Sequence, residues 1–470
     1  MNDFNNFDDS EDFDEYNDWN PENNKSLREK LKEGNGKLDI ETLENIIKFF
    51  LEDGDFENAL FFNELLLEKN PYDFDAWVTK GDLNFYLELY EQALEAYNRA
   101  LEFDPTDVDI WLQKSIVLEN LNRYNEALAC LDIALEQEAD NTAIMLSQAY
   151  VYEKLSKYDD AIKVLTNILK LESGNKSVFY ELGYCHDMNG KYDEAIYYYE
   201  KCLEIDPFSS NAWYNCGIVY NKLGNFVKAL DYYDMAISID NGFSPAWYNK
   251  ANVLFSIGRY LEAKYCYEKS LMIDGDDSDT WHNLGNVHRE LNELQDAINC
   301  YSIAIEYDPE NYESYIERSE CYKILKKYRK ALEDIDKAIE YSADDPDLWC
   351  EKAELSYKLG KWRDALICYK MALEIEPDNY QVIFNLAEIL LEYGYYRIAL
   401  KNYDRCINLK PDFSEAYYGK AKVLFMMRKL NEGVEALKTS FQLKPEQRKV
   451  FESEFPGVKS LTDLLRLLEE

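Results

Sequence analysis

Apolar and small residues recur along this chain with two superimposed periods. Within short stretches they fall at i, i+3, i+4 and i+7, the spacing of one helical face at about 100° per residue. Over longer distances the pattern returns every 34 residues, from Ile40 to Gln447, without an insertion. One small residue marks each period: Ala59, Ala93, Ala127, Ala161, Ala195, Ala229, Ala263, Ala297, Ala331, Ala365 and Ala399, with Gly433 at the twelfth step. A single structural unit repeated twelve times follows from that register.

Placing Trp77 at position 4 of a unit puts the unit starts at 40, 74, 108, 142, 176, 210, 244, 278, 312, 346, 380 and 414. Position 4 is then Trp77, Trp111, Trp213, Trp247, Trp281 and Trp349, with Phe179, Tyr315 and Tyr417 as large substitutes. Position 8 is mostly small, as in Gly81, Ser115, Ala149, Gly183, Gly217 and Ala251; Ile47 in the first unit departs from this. Position 24 is often Tyr (Tyr97, Tyr199, Tyr233, Tyr267, Tyr301, Tyr369, Tyr403) and position 32 often Pro (Pro71, Pro105, Pro207, Pro309, Pro377, Pro411, Pro445). Positions 4, 7, 8 and 11 share one helical face. Small residues at 8 and 20 let two helices approach, and the Trp and Tyr columns read as core packing around them. Proline at 32 stops one helix and suits the start of the next. Each unit therefore reads as helix, tight turn, helix. One such unit cannot bury its apolar face alone, so neighbours are expected to stack into an all-α solenoid.

In spacing and residue type these columns resemble the tetratricopeptide repeat family. The resemblance implies a right-handed superhelical array. It also implies that the first helix of each unit lines a concave groove. The expected organisation is an acidic disordered tail over 1–24, a short helical lead-in over 25–39, twelve repeats over 40–447, and a capping helix over 448–470. Ser26-Leu27-Arg28-Glu29 has capping-box spacing, and Leu461, Leu464, Leu465 and Leu468 line one face of the expected cap.

Charge narrows the partners. Net charge is 51 − 91 = −40, which repels phosphate backbones and anionic membrane surfaces. Nucleic acid is excluded on that ground, and a neutral to basic protein or peptide is expected. No apolar run reaches the roughly 18 residues of a membrane span. The N-terminus lacks a secretory signal, so a cytoplasmic location and no membrane insertion are expected. Residues 1–24 hold nine acids and no Lys or Arg, with Phe4, Phe7, Phe13, Tyr16 and Trp19 threaded among them. That composition suits either a linear docking motif or a solubilising tail. Ten cysteines occur without a C-x-x-C pair. Cys130, Cys266, Cys300 and Cys368 share position 23, and Cys202 and Cys406 share position 27, so they read as packed free thiols in a reducing compartment.

The candidate binding surface is the stripe of positions 2, 5, 6, 9 and 13 on the first helices. Position 6 is Asn215, Asn249 and Asn283 in succession, and position 9 adds Asn252 and Asn286. Position 5 adds Tyr180, Tyr214, Tyr248 and His282. An amide both donates to and accepts from a peptide backbone, so such a row holds an extended chain without reading its side chains. The row is similar to the asparagine ladder in the repeat arm of O-linked N-acetylglucosamine transferases, whose catalytic domain has no counterpart here. Duplication of neighbouring repeats explains the same row without any binding role. Farther along, Glu317, Glu320, Glu351, Glu354 and Glu388 turn the stripe acidic, which favours a ligand with Lys or Arg at one end or is simply a solvated face. Position 5 is never Lys, so the chaperone-type grip on a C-terminal carboxylate is excluded.

The resulting expectation is a protein-interaction scaffold or adaptor that binds an extended peptide in its groove. The alternative is a non-catalytic regulatory or targeting subunit of an enzyme complex, held through the convex face or the termini. Catalysis is not expected: His186 and His288 occupy core position 11, His282 stands alone, and no phosphate loop or nucleophile elbow occurs. No cofactor and no metal are expected.

Overall fold

A computed structural model describes residues 38–454. The acidic tail, nearly all of the lead-in and the leucine stripe at 461–468 lie outside the described residues. Among those described, every regular element is an α-helix.

The chain divides into two units, 1–207 and 208–470. The first contains α1 (Ile40–Asp53), α2 (Phe56–Lys69), α3 (Phe74–Tyr86), α4 (Tyr90–Phe103), α5 (Val108–Asn120), α6 (Tyr124–Gln137), α7 (Thr142–Lys154), α8 (Tyr158–Leu171), α9 (Lys176–Met188) and α10 (Tyr192–Ile205). The second contains α11 (Ser210–Lys222), α12 (Phe226–Ile239), α13 (Ser244–Ser256), α14 (Tyr260–Ile273), α15 (Ser278–Glu290), α16 (Leu294–Tyr307), α17 (Tyr312–Ile324), α18 (Tyr328–Tyr341), α19 (Pro346–Lys358), α20 (Trp362–Ile375), α21 (Tyr380–Glu392), α22 (Tyr396–Leu409), α23 (Ser414–Met426), α24 (Leu430–Leu443) and α25 (Gln447–Glu454). Within each unit, successive helices pair into antiparallel hairpins, and each second helix packs on the first helix of the next hairpin. Inside the second unit, neighbouring first helices also touch, as α11 does α13 and α13 does α15.

Local chemistry explains why the helices begin and end where they do. Position 34 supplies the N-cap of the next first helix: the side chains of Asp73, Asp107, Asn141, Asn175, Ser209, Asp277, Asn311, Asp345 and Asn379 each accept a backbone N–H of the first turn. The turn inside each hairpin needs a left-handed residue at position 15. Six hairpins use glycine there, such as Gly224 (φ 72°), and six use other residues, such as Lys326 (φ 56°). The Asn225 N–H then reaches Tyr220 O at 2.9 Å and the Gly224 N–H reaches Asn221 O at 2.9 Å, which satisfies the last carbonyls of α11.

The expected core columns divide by depth. All eleven alanines at position 20 are fully buried. Tyr97, Tyr199, Tyr233, Tyr267, Tyr301 and Tyr403 are among the largest fully buried side chains. Glycine at position 8 answers them: a Cβ on Gly217 would lie 2.6 Å from the Tyr233 ring, and one on Gly81 would lie 2.4 Å from Tyr97. Apart from the buried Trp247, the position-4 tryptophans sit shallower than core packing implies. Trp77, Trp111, Trp281 and Trp349 are half-buried. Each donates its indole N–H at 2.9 Å to the carbonyl six residues earlier, at Pro71, Pro105, Gly275 and Ala343. Each ring therefore pins a helix to the loop that precedes it. The position-32 prolines also differ from expectation. Pro71 lies in the connecting turn, and α3 begins three positions later, at Phe74. Pro71 supplies the carbonyl that Trp77 holds, while Asp73 starts the helix.

Candidate interaction surfaces

In the second unit, the asparagine row first serves neighbouring hairpins. Asn249 on α13 donates from Nδ2 to the Tyr214 hydroxyl on α11 at 2.7 Å. Asn283 on α15 donates in the same way to Tyr248 on α13 at 3.0 Å. A position-6 amide thus reaches back to the position-5 ring of the preceding hairpin. Those rings rest on the buried tyrosines of their own hairpins, Tyr214 on Tyr233 and Tyr248 on Tyr267, each with centroids 6.0 Å apart. His282 packs on Tyr301 at 5.6 Å and its Nδ1 lies 2.8 Å from Ser314 Oγ. In the first unit, Tyr180 packs on Tyr199 at 5.7 Å. Asn215 is half-buried on α11.

Position 9 has a second structural duty. Asn252 Oδ1 accepts from the Tyr267 hydroxyl at 2.5 Å and Asn286 Oδ1 accepts from Tyr301 at 2.7 Å. Asp82 receives Tyr97 at 2.6 Å, and Glu388 receives Tyr403. A buried phenol needs a partner, and in these four hairpins position 9 supplies it, whereas the Tyr233 hydroxyl has none among the described residues. Part of the hydrogen-bonding capacity of the row is therefore spent within the protein. The side-chain oxygens of Asn249 and Asn283 carry no further bond among the described residues.

The acidic stretch is largely compensated. Arg289 pairs with Glu317, and Lys323 pairs with both Glu320 and, at 3.4 Å, Glu351. Both cations stand at position 12, one residue outside the stripe read from the sequence. Desolvation still raises the pKa of Glu351. Glu354 and Glu388 behave differently. They meet in a cleft of about 850 Å³ on the first-helix face of α19, α21 and α23. Its apolar wall includes Leu391, Tyr396, Phe425, Met426 and Leu430, together with Phe451 of α25. Met426 and Leu430 remain 59% and 60% exposed. Lys422 stands 3.8 Å from Glu388. Of this wall only Met426, at position 13, falls in the stripe read from the sequence; Leu391 and Phe425 stand at position 12, Tyr396 and Leu430 at position 17, and Phe451 in the cap.

Leaving out position 12 also hid two acids in the first unit, and a third lies within the stripe itself. Glu119 and Glu153 occupy position 12 and Glu181 position 6. Burial pushes Glu119 and Glu153 each up to about 7, and raises Glu181 as well. Glu119 Oε1 is buried without a hydrogen-bond partner among the described residues. Glu153 accepts the Cys185 thiol at 3.2 Å. Position 12 follows 5 and 9 at helical spacing, so the signal was available in the sequence.

Tetratricopeptide repeat models match residues 74–107, 96–129, 177–209, 210–243, 244–277, 278–311, 312–345 and 346–379, more than half of the chain. The chain belongs to the tetratricopeptide repeat family. No curated protein matches it in sequence. Among solved structures it is similar to YrrB, described as a tetratricopeptide protein with an unusual peptide-binding site, at 20% identity over 40% of this chain and 97% of that one, with a TM-score of 0.36. It is similar to MamA at 17% identity over 37% and 96%, with a TM-score of 0.35. It is also similar to the C-terminal part of a repeat protein from Cytophaga hutchinsonii, at 20% identity over 50% and 96%, with a TM-score of 0.46.

Within this tetratricopeptide protein all ten thiols are free, and nine are buried. Burial raises the pKa of Cys266 and Cys406 to about 11, so they stay protonated and weakly nucleophilic. His186 is buried against Tyr198 at 5.1 Å, and desolvation lowers its pKa. No helix among the described residues is long and apolar enough to cross a membrane.

Proposed function

We propose that this tetratricopeptide protein is a non-catalytic cytoplasmic scaffold that holds an extended segment of a protein partner along its first helices. The observation that carries the reading is the cleft of about 850 Å³ on α19, α21 and α23. It offers exposed apolar side chains beside the carboxylates of Glu354 and Glu392, the arrangement that receives an aliphatic or aromatic anchor flanked by Lys or Arg. Glu119, Glu153 and Glu181 add cation-seeking groups in the first unit. The asparagine row contributes its unspent amide capacity to the backbone of the same class of ligand. The net charge of −40 supports a neutral to basic partner and opposes nucleic acid.

A second reading, a regulatory subunit held through the second helices, is favoured by Val227 on α12 and Leu261 on α14, each 72% exposed. One experiment separates the two. The full chain, a Met426→Glu/Leu430→Glu variant, an Asn249→Ala/Asn283→Ala variant and a Val227→Glu/Leu261→Glu variant are used as baits in a native lysate, with retained proteins quantified by mass spectrometry. Loss of a partner in the cleft variant at unchanged helicity supports the scaffold reading. Loss only in the Val227/Leu261 variant transfers function to the second helices.

A further inference from the structure

Seven hairpins carry an acid at position 19, and in six of them position 16 is basic: Arg123 with Glu126, Lys157 with Asp160, Lys191 with Glu194, Arg259 with Glu262, Lys361 with Asp364 and Lys429 with Glu432. Arg123, Arg259 and Lys429 pair with their acids at 2.8, 2.6 and 2.9 Å. The seventh hairpin reverses the sign. Glu293 stands at position 16 before Asp296, and the ring at position 11 beside them is His288. The ligand atoms of His288, Glu293 and Asp296 all lie within 4.8 Å of one another. His288 Nδ1 is 2.6 Å from Glu293 Oε2, and the imidazole is buried. A cleft of about 460 Å³ that includes His288, Asp296, Asn299 and Cys300 opens beside the cluster and admits solvent.

We infer that His288, Glu293 and Asp296 form a site for a divalent transition-metal ion of the Zn²⁺ class. One imidazole and two carboxylates are borderline ligands suited to Zn²⁺ or Co²⁺, and too few oxygens to hold Ca²⁺. Metal–ligand bonds of about 2.0–2.2 Å place tetrahedral ligands about 3.4 Å apart, so small side-chain rotations close the cluster. A fourth position is left to water from the cleft. Lys264 Nζ, 3.0 Å from Glu293 Oε2, stands where a cation already satisfies the carboxylate, and a bound ion would displace it. The three ligands come from α15, the turn after it and α16, so the ion would clasp one hairpin. His186 is the internal control: it holds the same position 11, but its hairpin has Lys191 at 16, and neither ring nitrogen has a hydrogen-bond partner among the described residues.

The chain has three histidines, so their imidazole resonances are separable. The full chain, stripped of metal and held in excess Mg²⁺ to occupy nonspecific acidic sites, is titrated with Zn²⁺ and observed by ¹H–¹⁵N imidazole NMR and calorimetry. The expected result is one site, a shift at His288 with His186 and His282 unmoved, and a rise in melting temperature. Glu293→Lys, which restores the pair common to the other repeats, and Asp296→Asn should each weaken binding by about tenfold or more while circular dichroism stays unchanged. Equal movement of all three histidines, equal binding by the variants, or no uptake in excess Mg²⁺ would overturn the site.

Discussion

Burial makes the charge on a carboxylate costly, and Glu119 and Glu153 carry that cost at neutral pH. Each has its pKa raised from 4.5 to about 7, chiefly by desolvation. Below the unfolded value both states hold the proton and no penalty exists. Between 4.5 and about 7 the folded protein binds more protons than the unfolded chain, so stability falls as pH rises, and above 7 the full penalty remains. Replacing both with Gln should flatten this part of the profile. At alkaline pH it should add about 1–2 kcal/mol per site, discounted for partial exposure, measured as urea midpoints across the pH range. Steric fit at the core is the other residue-scale constraint. Position 8 is Ala251 in the hairpin of Tyr267, where Gly217 stands against Tyr233, so the repeat tolerates one methyl at that position. Two more carbons are not, and Gly217→Val should cost about 2–3 kcal/mol in thermal or chemical unfolding.

Helix ends decide how each element is punctuated. Lys326 (φ 56°) and Arg428 (φ 62°) occupy turns where other hairpins use glycine. Lys326→Gly and Arg428→Gly should each stabilise by about 0.5–1 kcal/mol, and Gly224→Ala should destabilise by a similar amount, read as shifts in melting temperature. Asp277→Ala removes the cap that holds the Thr280 N–H and should cost about 1 kcal/mol. Helix number, phase and spacing were legible in the columns at positions 4, 8, 20 and 24, because helical periodicity is written locally. The left-handed column at position 15 was also readable, yet its six non-glycine members, among them Glu88 and Ser156, disguised it. The Trp pins were not readable. An indole N–H bonded to the carbonyl six residues earlier depends on how the loop turns back, and the hydrophobic pattern alone gives the same column for a core ring.

At the scale of the whole molecule, stability in a repeat array is a sum over units and their nearest neighbours. Excising residues 278–311, one full period, should therefore preserve helicity per residue and cooperative unfolding. Removing 17 residues should not, because a first helix would then meet a first helix with the wrong face; circular dichroism and denaturant titration distinguish the two. With a net charge of −40, affinity for the proposed basic segment should fall as ionic strength rises, measured by titration at increasing salt. The sequence by itself determined the all-α architecture, the twelve-fold register and the alanine and tyrosine core, because each follows from short-range spacing repeated at a constant interval. The tertiary structure decided what the first-helix surface has left to offer. Asn249 meets Tyr214, Arg289 meets Glu317 and Lys323 meets Glu351 across 28 to 35 residues. Those pairings depend on which side chains of adjacent hairpins come within reach, a property of packing between units that no single period contains.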